Sequence, residues 1–490
     1  MKYDTVIIGA GLSGLLCGYI LAKEGQRVCV VEKNPVVGGC IQNFKREGVV
    51  FDCGAHYIGG LDDGESLFQY FNYFDLFRNI NYKRLDVDGF DIFKIQNSEY
   101  RFAQGEENFI NVLSKSFPKE KSAISKFTYE IKKIAQSFPL FVGGQFGENQ
   151  DIFNFSKNIY QYLSELTENQ QLRRVLTANN LLYLGKPTKT PMYLFSLINY
   201  GYIESAWRVE NGSGRVADLL AESIRNFGGE ILTSAEISKI SIPENRAESI
   251  ETIDGKNFTF ANLISTIHPV LFSKIAETKL IRKAYYSRLN SLENTEGLFS
   301  VYIIFKTDVF PHYNSNFYCS TDDSSEINSE TFGDYFFFFT SENPENPKYA
   351  KSAEILSPMN FSEVEKWEKS DILNRGCEYL EFKQKKAEAL IQRTEKYFSG
   401  FSKTIHNFYT SSPLTYRDYT GTHRGSAYGI RKDINEPLGA NILPITKIPN
   451  VFLSGQNINM HGVHGVVTGS VITCSHILGY EYLVNKIKNA

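Results

Sequence analysis

The sequence has no excess of charge of either sign. Its 490 residues carry 52 Lys and Arg against 55 Asp and Glu, a formal net charge of −3, so no strongly basic face is implied and no nucleic-acid partner is expected. Cysteine is sparse and unordered. Cys17, Cys29, Cys40, Cys53, Cys319, Cys377 and Cys474 make an odd set with no C-x-x-C pair, which speaks against a disulfide framework or a metal knuckle and for a reducing, cytoplasmic compartment. Long apolar runs are missing too. None reaches the roughly 18 uninterrupted residues of a spanning helix, so a soluble or peripheral protein is expected. Val6 to Ala22 comes nearest and imitates a leader, but cleavage there would remove the glycine turn described next. Aromatic residues, by contrast, are plentiful at 14%. They reflect either a compositional preference or an apolar substrate tunnel, and a chain of this length holds two or three domains.

The chain is organised around its amino terminus. Val6, Ile7 and Ile8 read as a buried parallel strand, Gly9, Gly11 and Gly14 follow at once with Leu12 and Ser13 between them, and Leu15 to Lys23 has helical character. A pyrophosphate needs that order: glycines allow close backbone approach, and the helix offers unpaired N–H groups at its positive end. Val28 to Val31 give a second strand ending at Glu32, 18 residues past Gly14, near the spacing of about 20 at which an acidic side chain meets a ribose hydroxyl. The doublet Gly38-Gly39 and the stretch FDCGAHYIGG (Phe51 to Gly60) come next. A loop with a glycine doublet can lie against an extended cofactor, so the expected ligand is FAD rather than a nicotinamide nucleotide alone.

On GGC at Gly38 to Cys40 and FDCGAHYIG at Phe51 to Gly59, the chain resembles the FAD-dependent amine-oxidase and phytoene-desaturase superfamily, within it the retinol saturase (all-trans-retinol 13,14-reductase) and carotenoid isomerase branch. Lys33 and Cys40 stand where many relatives have arginines. The resemblance implies cofactor contacts at Gly54 and Ile237. It also implies them in NVFLSGQNINMHGVHGVV near the carboxyl end, at Gly455, Gln456, Val463, Gly465 and Val466, where a helix amino terminus faces the flavin O2 and N1 edge. Asn457 stands where relatives often have an acidic residue.

The expected fold class is α/β. A Rossmann-type FAD-binding domain is assembled from residues 1–65, 205–275 and 440–490, and an α+β substrate-binding domain with a helical insertion from 66–204 and 276–439. Val112 to Ser137 and Ile159 to Leu184 have helix-like spacing, and Val216 to Phe227 reads as a helix before a strand at Glu230 to Leu232. Leu263 to Thr266, Phe299 to Phe305 and the phenylalanine run Asp334 to Thr340 read as strands, the last as core rather than site. The polar stretch between Ser320 and Glu330 is expected to be a surface loop, and Cys377 to Phe398 a long helix. Arg424 and Tyr428, in the segment Pro413 to Ile430, are flagged as near the cofactor.

NGSGRV at Asn211 to Val216 lacks a preceding apolar strand, so only one nucleotide fingerprint is present and electrons must pass to or from a transient donor or acceptor. Flavin chemistry needs a positioned carbon, exclusion of water and a proton source, which matches the absence of a metal cluster or nucleophile triad. His56, after the turn expected to approach the ring system, and His464, in the flavin-edge motif, are the candidates for proton handling. His268, His423 and His461 read as local hydrogen-bonding residues. The resemblance favours saturation of a C=C bond in a long polyene or isoprenoid over desaturation or isomerisation. Two other readings stay open: oxidation of a small amine, which needs an aromatic cage at the ring face, and a flavin-free carrier of lipidated partners. Peripheral contact with a membrane would suit an apolar substrate.

Overall fold

A computed structural model describes residues 2–138, 140, 157–320, 330–436 and 442–490. Its first sheet is built from strands that lie far apart in sequence. Strand Lys2–Ile8 is central, flanked in parallel register by Val28–Val31 (Val6 beside Cys29) and by Asn257–Ser265 (Val6 beside Leu263). Glu230–Leu232 extends one side and Val451–Leu453 the other, both parallel. Ser249–Thr252 and Ile237–Ser241 add an antiparallel edge. The apolar β-branched runs are needed because both sheet faces are covered. Ile7, Val28, Val30 and Ile264 face a helical layer, while Val6, Ile8, Cys29, Val31 and Leu263 face the opposite core.

That helical layer explains the leader-like stretch. Helix Leu12–Lys23 is buried from Ser13 through Ala22, because helices Gly214–Asn226 and Gly462–Leu478 pack on either side of it. A Cβ at Gly18 would lie 2.9 Å from Ile224 Cδ1 and 3.1 Å from Val30 Cγ2, so contact with the neighbouring helix and the sheet requires a residue without a side chain. Helix Gly214–Asn226 itself is amphipathic, burying Val216, Ala217, Leu220, Ala221 and Ile224 on one stripe.

A second, seven-stranded sheet runs in the order Ile405–Ser411, Gly297–Phe305, Ala350–Met359, Tyr335–Glu342, Asn316–Ser320, Asp91–Ile95, Ser98–Phe102. Only the Asn316–Ser320 and Asp91–Ile95 pair is parallel. Its faces meet different layers. Phe336 and Phe338 join the core under helix Cys377–Tyr397, while Phe337 and Phe339 join the core formed with the helices between residues 106 and 204.

Two expected helices are divided. Val112 to Ser137 is split into Glu106–Ser116 and Lys121–Gln136, because Pro118 biases Phe117 out of helical geometry. Ile159 to Leu184 is split into Ile159–Leu166, Gln170–Thr177 and a 3₁₀ turn at Asn180–Leu182. Asn169 starts the second of these by accepting the Leu172 N–H at 3.0 Å. The polar stretch between Ser320 and Glu330 lies, except at its ends, outside the described residues. No helix among the described residues is long and apolar enough to cross a membrane.

Candidate active site

The first strand ends at Ile8 and the chain turns at Gly9, whose φ of +97° favours glycine. A Cβ at Gly9 would stand 2.6 Å from Thr266 Oγ1, and one at Gly14 only 1.9 Å from the Gly9 carbonyl oxygen. Turn and helix close only without side chains there. At Gly11 nothing lies within 4 Å of the place a Cβ would take. That space is a groove, and it meets the amino end of helix Leu12–Lys23, where unpaired N–H groups favour an anion.

Buried Glu32 braces the turn. Its carboxylate accepts the Ala10 N–H at 2.8 Å and the Asn34 N–H at 2.9 Å, and it also forms part of the groove wall. The Gly38 N–H donates to Ala10 O at 2.7 Å, which lays the glycine doublet against the turn. The far end of the chain arrives through Gly455, just past strand Val451–Leu453, and helix Gly462–Leu478. Ser13 Oγ donates to Ser454 Oγ at 2.8 Å and lies 3.0 Å from Ser470 Oγ, all buried. A hydroxyl cluster thus fastens the first helix to helix Gly462–Leu478.

These segments enclose one groove of about 490 Å³, within the range of small-molecule sites. Of the expected cofactor residues, Gly9, Gly11, Leu12, Ser13, Glu32, Lys33, Gly38, Gly39, Cys40, Gly54, Ile237, Gly455, Gln456, Val463 and Val466 line it. Gly14 and Gly465 stand behind the wall as packing positions; a Cβ on Gly465 would meet Met460 Cβ at 2.5 Å. Arg424 points away, pairing with Glu365 at 3.0 Å. Tyr428 does line the groove, as do Tyr416, Thr266, Lys274 and Leu298, none of the latter four singled out from sequence. Thr266 had a legible signal, since the residue just past a parallel strand's carboxyl end is where ligands sit in such sheets.

The two histidines proposed for proton handling are not among the residues lining the groove. His464 has its ring 6.4 Å from Tyr70. For His56 the expected approach to the ring system is not what the structure has. Cys53, Gly54 and Ala55 take the groove wall, and the next residue turns toward the second sheet, between Phe337 and Phe339. There His56 Nδ1 lies 3.6 Å from Glu354 Oε2. The distance suggests an ion pair, yet burial and then the Arg208 guanidinium push the imidazole down to about 3, and burial holds the Glu354 carboxyl well above its ordinary range. Both groups are driven toward their neutral forms. His268, which lines the groove, is pushed down to about 4 and His461 to about 3, each by burial first; His461 Nδ1 has no hydrogen-bond partner, whereas His268 is held by hydrogen bonds. His268 Nδ1, for instance, accepts the Val270 N–H at 3.2 Å.

An open groove between two helix amino ends, with glycines where a side chain would intrude and a carboxylate at the second strand's end, fits a flavin dinucleotide. Residues 12–478 match the family model described as flavin containing amine oxidoreductase. The chain belongs to this family. As a flavin containing amine oxidoreductase it is an FAD-dependent oxidoreductase with a mixed α/β fold. The all-trans-retinol 13,14-reductase of Rattus norvegicus is 24% identical over 532 residues, covering 97% of this chain and 86% of that protein. Prolycopene isomerase 2 of an Oncidium hybrid cultivar is 23% identical, covering 98% and 85%. Among solved structures, an oxidoreductase from Methanosarcina mazei superposes with a TM-score of 0.67 at 17% identity, over 96% of this chain and 99% of that one, a likeness of fold.

Proposed function

We propose that this flavoenzyme acts on a C=C bond of a long apolar polyene or isoprenoid, with saturation favoured over desaturation or cis–trans isomerisation. The observation that carries the reading is the wall of the groove near helix Gly462–Leu478. Leu298, Tyr416 and Tyr428 line it and pack into the aromatic core beneath the helices between residues 106 and 204, so a ligand entering there meets ring faces and aliphatic carbon rather than charge. The similarity to a retinol reductase and a prolycopene isomerase points the same way.

When bound, FAD accepts or donates hydride at its ring. The chain's own residues then have three tasks. Gly9, Gly11, Leu12, Ser13, Gly38 and Gly39 bring backbone to the pyrophosphate, with Glu32 at the ribose and Ile237 at the adenine. Gly455, Gln456, Val463 and Val466 hold the ribityl chain and flavin edge, beside a helix amino end that favours negative charge. Proton handling falls to Tyr416 rather than to His56 or His464. Its hydroxyl lies 2.7 Å from Ser300 Oγ and 3.2 Å from Tyr302 Oη, and burial raises its pKa so that it keeps its proton. Residues 1–65, 205–275 and 440–490 serve the cofactor and 66–204 and 276–439 the substrate, with Tyr416 to Tyr428 reaching from the second unit into the groove. Electrons come from a transient partner, and the substrate comes from a membrane surface.

Oxidation of a small amine is the second reading. Two tyrosines on one stretch of groove wall, Tyr416 and Tyr428, are the aromatic pair that it would use. Anaerobic spectra of the FAD-loaded protein separate the two. A conjugated polyene should reoxidise photoreduced flavin, and amines should leave oxidised flavin unchanged; bleaching by amines with no response to polyenes reverses the assignment. Tyr416→Phe should keep FAD and slow turnover by about 100-fold, as loss of a positioned general acid does.

A further inference from the structure

Behind the groove wall lies a buried set of polar groups that the flavin reading does not use. Asp52 leaves the hairpin strand Val49–Asp52, His56 follows the groove loop, and Glu354 projects from strand Ala350–Met359 of the second sheet. Each offers a ligand atom, and the three atoms lie within 4.8 Å of one another. The side chains of His56 and Glu354 are 10% and 3% exposed. Neither ring nitrogen of His56 has a hydrogen-bond partner, nor does Glu354 Oε2, although Glu354 Oε1 accepts the Asp52 N–H at 3.1 Å. The gap of 3.6 Å between His56 Nδ1 and Glu354 Oε2 is too long for a hydrogen bond. It is close to the edge of about 3.4 Å that two ligands span across a metal at bonds of about 2.1 Å in tetrahedral geometry.

We propose that Asp52, His56 and Glu354 bind one divalent transition-metal ion, of the zinc or manganese kind that takes mixed imidazole and carboxylate ligands. Asp52 is already oriented as a ligand would be, because its Oδ1 accepts both the Ser213 N–H at 2.7 Å and the Ser213 hydroxyl at 2.8 Å. Arg208 is the nearby cation, its Nε donating to the His56 carbonyl at 3.3 Å and its other nitrogens to Thr340 O and Asn316 Oδ1. Its guanidinium faces three buried carboxylates, Asp52, Glu354 and Asp91. Bound there, the metal ties the hairpin and groove loop of the cofactor side to the sheet of the substrate side. Spacing in the sequence does not show this set, because Glu354 stands far from the other two ligands.

The test uses FAD-loaded protein purified without chelator. Elemental analysis, followed by equilibrium dialysis against Zn²⁺ and Mn²⁺, is expected to show one ion per chain. Glu354→Gln should weaken binding by more than about 100-fold, beyond what loss of a merely supporting group costs, while flavin content stays near that of the wild type. Wild-type crystals soaked in Zn²⁺ or Mn²⁺ provide the check if that variant fails to fold. An anomalous peak between the three side chains supports the site. Protein that is metal-free and takes up neither ion, or a peak only elsewhere, overturns it and leaves the cluster holding protons instead.

Discussion

Gly11 and Gly14 belong to one motif yet are glycine for different reasons, and substitution should separate them. Gly11→Ala places a methyl group in open space at a position with φ −70°, so the apo chain should keep its stability to within about 1 kcal/mol while flavin content falls. Gly14→Ala drives a methyl group to 1.9 Å from a backbone oxygen, so it should lower both. Thermal unfolding of the apo proteins and the ratio of flavin to protein absorbance read the difference. Equal loss of stability in the two variants would sink the distinction. Glu204 carries a separate expectation. It accepts the Ser66 hydroxyl at 2.7 Å, and burial first, with Glu65 nearby, pushes its carboxyl up to about 7. Between about pH 4 and pH 7 the native chain then holds a proton that the unfolded chain has released. The stability this group contributes is present below that window and lost as the pH rises through 7. Asp91, also pushed up to about 7 by burial, adds a slope of the same sign. Glu204→Gln should therefore flatten, without abolishing, the fall of denaturation midpoint with pH, by up to ~3 kcal/mol across the window. At this scale the glycines, Glu32 and the carboxyl-terminal motif were legible because a nucleotide constrains backbone directly. The direction of His56 was not, since only the fold shows that Gly54 and Ala55 occupy the wall and that Phe337 and Phe339 flank the ring.

Among the elements, strand Tyr335–Glu342 shows how far residue type alone can be read. Four successive phenylalanines announce a buried strand, and both sides of it are core: Phe336 and Phe338 face the layer under helix Cys377–Tyr397, Phe337 and Phe339 the layer above the groove. The run is therefore core on both faces. Phe338→Ala should cost about 3–5 kcal/mol of stability, the range for an emptied buried ring, with the flavin spectrum unchanged in the protein that remains folded. A cost under about 1 kcal/mol would mean that the sheet is not packed as described. Helix limits were less legible than strands. The break at Pro118 was written in the sequence, whereas the break before Gln170 depends on Asn169 capping a new helix, an arrangement that Asn adopts only when the chain around it also turns.

At the scale of the whole molecule, one groove is walled by segments from near both ends of the chain. The first helix and helix Gly462–Leu478 pack together through Ser13, Ser454 and Ser470, with Cys17 and Cys474 buried at the same seam. Strand Asn257–Ser265 pairs with both the first strand and Val451–Leu453. One sheet thus reads as three sequence segments, and that discontinuity was visible only because a glycine turn and a flavin-edge motif were recognisable at opposite ends. A ligand gripped by both ends should protect both ends together. FAD at 100 times its dissociation constant stabilises the native chain by about 2.7 kcal/mol, and hydrogen exchange can locate where that protection falls. Amides in residues 9–14 and 455–466 should slow in concert when FAD is added to the apo protein. Those of the outer strands Asp91–Ile95 and Ser98–Phe102, which lie at the far edge of the second sheet, should slow only as much as global stabilisation requires. Protection confined to the amino-terminal turn would show that helix Gly462–Leu478 does not reach the cofactor, and the site would then have to be redrawn around one end of the chain.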